Sequence, residues 1–189
     1  MHGFADEGGR GREGVAGVPD ESAARLRIAE EDPTSDDVTA LLALHLAHMR
    51  ASSPACSMHA LDVEALRPPA VRFWTARDGT PGASHAALLG CGALKRLDST
   101  HGELKSMRTA PTALRRGVAR ALLARIVAEA RADGLERLSL ETGSGAPFEP
   151  ALRLYERAGF VRCPPFGDYT EDPFSLFMTR ALEPVEPAG

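Results

Sequence analysis

The stretch Glu103-Leu-Lys-Ser-Met-Arg-Thr-Ala-Pro111, continued after two residues by Leu114-Arg-Arg-Gly-Val-Ala-Arg120, decides how the whole chain is read. Its first half has strand composition around Leu104 and Met107, and its second half opens a helical pattern. Val118, Leu122, Ile126 and Ala130 recur every fourth residue, with Leu123 and Val127 beside them and Arg120, Arg125, Glu129 and Arg131 elsewhere on the surface. That is a single apolar stripe on a helix, closed by Gly134 at a C′ position. A strand thus runs through a short loop into the first turn of a long helix. The first turn carries backbone N–H groups without intrahelical acceptors, together with the positive end of the helix dipole, so an anion belongs there. Gly117 lets the backbone approach a bulky phosphate, the small Ala119 leaves the amides unshielded, and Arg115, Arg116 and Arg120 add cationic reach. Pyrophosphate suits this chemistry; a solvated turn with no ligand is the bland reading of the same residues. The chain holds neither the Gly-x-x-x-x-Gly-Lys-Ser/Thr of a P-loop nor the three spaced glycines of a dinucleotide fingerprint.

Outward from this segment, strands and helices alternate. Downstream, Leu138-Ser-Leu-Glu-Thr142 predicts a strand, Pro150 to Ala158 a helix stopped by Gly159, and Ser175 to Leu182 a closing strand. Upstream, Leu26 and Ile28 alternate with polar residues as a first strand. Thr34-Ser-Asp36 then offers N-cap residues for a helix through Val38, Leu41 and Leu42 to about Arg50. A short helix around Leu61 to Leu66 is stopped by Pro68-Pro69. Val71 to Thr75 and Ala86 to Leu94 read as strands, separated by the turn residues Asp78 to Gly82, and Gly90 and Gly92 mark a bulge or a close backbone approach. A further turn at Asp98 to Gly102 leads into the strand Glu103 to Thr109. Residues 1–22, rich in glycine and without period, predict a flexible tail, 23–183 one α/β domain, and 184–189 a C-terminal tail.

Length and composition agree with one domain. The chain has 189 residues, 43% hydrophobic and 25% charged, the profile of a soluble globular protein. A net charge of -4 provides no general cationic field, which argues against a dedicated nucleic-acid binder. Cys56, Cys91 and Cys163 are odd in number and far apart, as reduced thiols of a cytoplasmic protein would be. No apolar run is long enough to suggest a membrane span, and the first twenty or so residues lack the apolar stretch of a signal peptide. His45 and His48 fall three apart on a helix, but no Asp, Glu or Cys nearby completes a ligand set, so no metal is expected.

Taken together, Lys105 to Pro111, Leu114 to Leu123, Leu138 to Thr142 and Leu154-Tyr-Glu-Arg-Ala-Gly-Phe160 resemble the GNAT family of N-acetyltransferases. The family loop is written Gln/Arg-x-x-Gly-x-Gly/Ala. Gly117-Val118-Ala119 satisfies its second half, while Leu114 stands where Gln or Arg is usual. The resemblance implies a mixed, twisted central sheet flanked by helices and splayed between the strands at 103–109 and 138–142. It implies acetyl-CoA as cosubstrate and no metal. Its diphosphate would lie on Leu114, Arg115, Arg116, Gly117, Val118, Ala119 and Arg120, and its pantetheine arm would pair as a pseudo-strand with Met107, Arg108 and Thr109. Thr142 and Gly143 would line the thioester from the other side.

By the same resemblance Tyr155 would protonate the leaving thiolate; a tyrosine at that helix position is otherwise half-buried packing. A phenol with pKa near 10 is a sensible acid for a thiol leaving group. Glu103 is the first candidate base for the acceptor amine and Glu141 the second, though either fits equally as a solvated strand-end carboxylate. Backbone N–H groups near Met107 to Thr109 would take the oxyanion. Asp168 and Tyr169, with Glu171 and Asp172, would suit an acceptor carrying positive charge. Phe73 and Trp74 would supply an apolar wall, or simply pack in the core. The Pro165-Phe-Gly-Asp-Tyr169 and His59-Ala-Leu-Asp62 segments are similar to a YsnE-type bacterial subgroup of the family. The function implied is direct acetyl transfer to a primary amine of a small molecule, by a monomer or homodimer with neither nucleic-acid nor membrane partners. A non-catalytic acyl-CoA sensor and an acetyltransferase of protein lysines or N-termini are the alternatives.

Overall fold

A computed structural model of the chain describes residues 26–52, 66, 71–79 and 86–183. The element order is β1 (Leu26–Glu30), α1 (Asp36–Ser52), β2 (Val71–Asp78), β3 (Leu88–Arg96), β4 (His101–Thr109), α2 (Val118–Ala132), β5 (Arg137–Gly143), α3 (Glu149–Arg157), β6 (Val161–Arg162) and β7 (Ser175–Ala181). One seven-stranded sheet takes the order β1-β2-β3-β4-β5-β7-β6. Its pairs are antiparallel except β4 with β5, which α2 connects as a crossover. This is the mixed α/β sheet flanked by helices that the resemblance implied.

Local chemistry accounts for the element ends. In the first turn of α1, Asp37 Oδ1 accepts from Ser35 Oγ and from the Val38 amide, each at 2.9 Å, which sets acidic side chains beside free amides. The end of α2 turns at Gly134 (φ 75), where the Gly134 amide donates to the Arg131 carbonyl and the Leu135 amide to Ala130, both at 3.0 Å. Asp98 Oδ1 accepts from the amides of Thr100 and His101 at 2.8 Å, closing the β3–β4 turn early. The strand therefore starts at His101 and not at Glu103. Among the described residues three short elements escaped the sequence pattern: the 3-10 turns Pro111–Ala113 and Ala146–Phe148 and the two-residue strand β6.

The core forms where α2 lies on β3. The helix buries Val118, Leu122, Leu123, Ile126, Val127 and Ala130, as its stripe predicts. Close approach is possible because Gly90 and Gly92 have no side chain. A Cβ on Gly92 would meet Met107 Sδ at 2.5 Å and Ile126 Cδ1 at 2.9 Å, and one on Gly90 would meet Val118 Cγ1 at 2.9 Å. Since α1 packs on the same two strands, β3 and β4, it takes the opposite face. The expected tails at 1–22 and 184–189, the short helix ending at Leu66, His59, Asp62 and Cys56 lie outside the described residues, Leu66 itself excepted, as do the side chains of His45 and His48.

Candidate active site

The parallel ladder of β4 and β5 runs only from the His101–Arg137 pair to the Leu104–Leu140 pair. Beyond it β4 continues against β3 as far as Thr109, and β5 against β7 as far as Gly143. The two strands part, leaving their facing main-chain groups without ladder partners. A bulge on β4 assists: the β3–β4 register shifts between Cys91 and Ala93, and Ser106 stands at φ 53. A cleft of about 1680 Å³ opens at this gap and extends between α2 and α3. Met107, Arg108 and Thr109 line it from one strand, Glu141, Thr142 and Gly143 from the other, and Tyr155 from α3.

At the mouth of the cleft lies the loop that leads into α2. Pro111–Ala113 forms a 3-10 turn, and Arg115 (φ 62) and Gly117 (φ 76) then adopt left-handed backbone. The first bond of the helix runs from the Ala121 amide to the Gly117 carbonyl at 3.0 Å, so the amides of Val118, Ala119 and Arg120 have no intrahelical acceptor. A Cβ built on Gly117 meets nothing within 4 Å, so the space over these amides is open. Leu114, Arg115, Gly117, Val118, Ala119 and Arg120 line the cleft; Arg116 does not. Val118 is 1% exposed and its side chain belongs to the core, which leaves its main chain to face the opening.

The candidate acid–base groups separate by environment. Tyr155 is buried, edge-on to Phe160, and burial with the nearby Glu141 carboxylate pushes its phenol well above the usual value. Glu141 lines the cleft and accepts a 2.6 Å hydrogen bond from Ser175 Oγ. Glu103 is only 2% exposed and is absent from the cleft lining. Its Oε1 accepts from Tyr169 O–H at 2.5 Å and from Lys105 Nζ at 2.9 Å, and Lys105 Nζ lies 2.7 Å from the Tyr169 oxygen. Burial first, then the bond to Glu103, raises the Tyr169 phenol far above its ordinary range.

Several residues expected at the acceptor site lie elsewhere. Phe73 and Trp74, 2% and 0% exposed, are core residues away from the cleft; Trp74 pairs across the ladder with Gly92. Asp168 and Glu171 are solvent-exposed and outside the lining, so the loop sends Tyr169 inward and its acids outward. Lys105, Arg131 and Arg180 line the cleft without having been singled out from the sequence. Lys105 sits inside the quoted stretch, and its face of β4 is what the sequence does not reveal. Arg180 Nη1 donates to the Ala158 carbonyl at 2.6 Å, closing the end of α3. Among the described residues no cluster of His, Cys, Asp and Glu is arranged to hold a metal, and no helix is long and apolar enough to cross a membrane.

A sheet parted between parallel strands beside an amide-lined helix start defines a class, and the sequence places the chain within it. The family model described as acetyltransferase (GNAT) family matches residues 38–160; the chain belongs to that family and is an acyltransferase. It is 52% identical over 157 residues to an uncharacterized N-acetyltransferase, YsnE, of Bacillus subtilis (strain 168), covering 83% of this chain and 100% of that one. It is 41% identical over 159 residues to a protein named IAA acetyltransferase of Azospirillum brasilense, covering 83% and 98% of the two chains. The solved structure of a putative acyl-CoA N-acyltransferase from Klebsiella pneumoniae superimposes with TM-score 0.67 at 27% identity, over 84% of this chain and 98% of that one. A GNAT acetyltransferase from Elizabethkingia anophelis, solved with acetyl-CoA bound, shares the fold at TM-score 0.56 and 16% identity, over 84% and 99% of the two chains.

Proposed function

We propose that the protein transfers the acetyl group of acetyl-CoA directly to a primary amine of a small molecule. The observation that carries this reading is the opening at Gly117: three amides without intrahelical acceptors face a cleft that continues into the gap between β4 and β5. A diphosphate suits the amides, with Arg115 and Arg120 at the rim. The free edge of β4 at Met107, Arg108 and Thr109 suits the pantetheine amides, which brings the thioester to Thr142, Gly143 and Tyr155. The packing of the loop after α3 against β4 and β7 favours a small acceptor over a protein chain. Phe166, Tyr169 and Phe177 stack with centroids 5.2–6.0 Å apart, and the Tyr169 hydroxyl fastens the loop to Glu103 and Lys105.

In this reading Glu141, which reaches the cleft, takes the proton of the acceptor ammonium, either directly or through water. The neutral amine forms the C–N bond and gives up its second proton to water in the cleft, N–H groups of Met107 to Thr109 hold the oxyanion, and the C–S bond breaks as Tyr155 gives its proton to sulfur. The Glu141 carboxylate is near enough to Tyr155 to act on it electrostatically, and in this reading its proton returns to the phenolate directly or through water. Glu103 acts through Lys105 and Tyr169 as a positioning residue. The chemistry needs no covalent acetyl-enzyme, and burial pushes the Cys91 thiol up to about 12, which makes it a poor nucleophile. A thiol-release assay with acetyl-CoA against amino acids, polyamines, aminoglycosides and peptides tests the proposal. Turnover confined to a small amine is the expected result; acetylation of peptides alone would overturn the small-acceptor reading.

A further inference from the structure

We propose that the acceptor carries a carboxylate beside its amine, and that the Arg108 guanidinium anchors that carboxylate on the sheet face opposite α2. The inference rests on the acetyltransferase reading and names its substrate class. Register fixes the geometry. Thr75 pairs with Cys91 and Cys91 with Arg108, so these three side chains form a row across β2, β3 and β4. Gly90 and Gly92, which flank Cys91, face α2, so alternation sends the row to the other side. A diphosphate on the first turn of α2 is therefore out of reach of the Arg108 side chain, although its main chain still lines the gap.

Two polar atoms in this row lack partners. Arg108 Nε and Thr75 Oγ1 are buried with no hydrogen bond. Among the described residues no carboxylate forms an ion pair with Arg108, whereas the two arginines of β2 are matched. Arg72 holds Glu30, Glu129 and Asp133, and Arg77 holds Glu31 and Asp37. The neighbouring cation Lys105 is neutralised by Glu103 at 2.9 Å. Cys91, kept protonated by burial, supplies no charge, and desolvation lowers the Arg108 pKa with no carboxylate among the described residues paired to offset it. A partly desolvated guanidinium without a counterion is costly, and a planar carboxylate is the group its donor fork fits in two parallel bonds. With the carboxylate on Arg108, one residue from the main chain at the thioester gap, the amine of the same molecule falls toward Glu141 across that gap. Amino acids and other amino carboxylates have this form.

The test compares each amino carboxylate with its own carboxamide in the thiol-release assay, using the full chain, Arg108→Gln and Arg108→Lys. Calorimetry of acetyl-CoA and a thermal melt accompany each variant. The expected result is preference for the carboxylate, a KM higher by about tenfold or more in Arg108→Gln, partial recovery in Arg108→Lys, and acetyl-CoA affinity within about twofold throughout. Carboxamides used as well as carboxylates, or a preference that survives Arg108→Gln, would overturn the anchor. Titration of amino carboxylates into the protein without turnover reads the anchor separately: heat that depends on Arg108 supports it, and no such heat across the panel overturns it. Failure of the unaltered protein to bind acetyl-CoA would instead sink the transferase reading, leaving that titration to decide the anchor.

Discussion

In the proposed mechanism Tyr155 and the two glutamates divide the chemistry by what surrounds each group. Burial and the Glu141 charge hold the Tyr155 phenol protonated across the neutral range, so it is available to give a proton to a departing thiolate. Replacing it with Phe keeps the packing against Phe160 and removes only the donor. Tyr155→Phe is expected to lower kcat by about 10²-fold or more while acetyl-CoA affinity by calorimetry stays within about twofold. Equal turnover would take the phenol out of the mechanism. Glu103 and Glu141 lend themselves to a paired comparison. Glu103→Ala strands Lys105, whose side chain is 8% exposed, without its carboxylate, and is expected to cost about 3–5 kcal/mol in urea unfolding. Glu141→Gln keeps an acceptor for Ser175 Oγ, and is expected to leave the unfolding midpoint nearly unchanged while depressing kcat. The opposite pattern, a stable Glu103 variant that is dead and a Glu141 variant that is active, would exchange the two roles.

At the scale of elements, the start of α2 is the proposed seat of the diphosphate. Gly117 sits at φ 76 with open space where a side chain would go, so substitution meets backbone strain but no clash. Gly117→Asp places a carboxylate over the amides of Val118 to Arg120, and Gly117→Ala introduces the same left-handed strain without charge. Both are expected to lose about 1 kcal/mol of stability. Only the Asp variant is expected to abolish acetyl-CoA binding by calorimetry, because repulsion and occlusion add to the strain. Comparable affinity in the two would mean that the diphosphate lies elsewhere. This corner was legible in the sequence because each signal is local: a stripe of period 3.6, a glycine and flanking arginines. The acceptor side was not. Whether Glu103, Lys105 or Arg108 faces α2 depends on parity along β4, and the bulge at Ser106 resets that parity partway along the strand. Phe73 and Trp74 are both buried because β2 is covered on two faces, so strand composition alone could not assign either to a cleft. Asp168 and Tyr169 are neighbours in a loop without period, where backbone turns sent one outward and the other to Glu103.

For the whole molecule, the sheet and α2 are joined by charge as well as by apolar packing. Arg72 on β2 bonds Glu30 on β1 and Glu129 of α2, and binds Asp133 just past that helix, at 2.8–2.9 Å, while its guanidinium lies 4.8 Å from the Trp74 ring centroid. On the same strand Arg77 ties Glu31 and Asp37 at 2.6–3.0 Å. These pairs are partly exposed, so each contributes modestly, and Arg72→Gln is expected to cost about 1–2 kcal/mol at neutral pH, a few degrees in Tm. Its pH dependence distinguishes loss of charge from loss of packing. The Glu129 carboxyl is held below its unfolded value of 4.5, first by its bond to Arg72, and Asp37 is lowered from 3.8 to about 2, first by Arg77. For carboxylates with depressed folded pKa values, the stabilisation is complete above the unfolded value and lost as pH falls through the folded one. The unaltered protein should therefore lose stability on acidification below about 4.5, and its advantage over Arg72→Gln should shrink over the same interval as Glu129 takes up its proton. The Asp37 contribution is common to both proteins and cancels in the difference. Unfolding midpoints in urea between pH 7 and pH 3 measure that difference directly. A gap that stays constant with pH would assign the Arg72 contribution to packing on Trp74 and leave the carboxylates without a part in joining β1, β2 and α2.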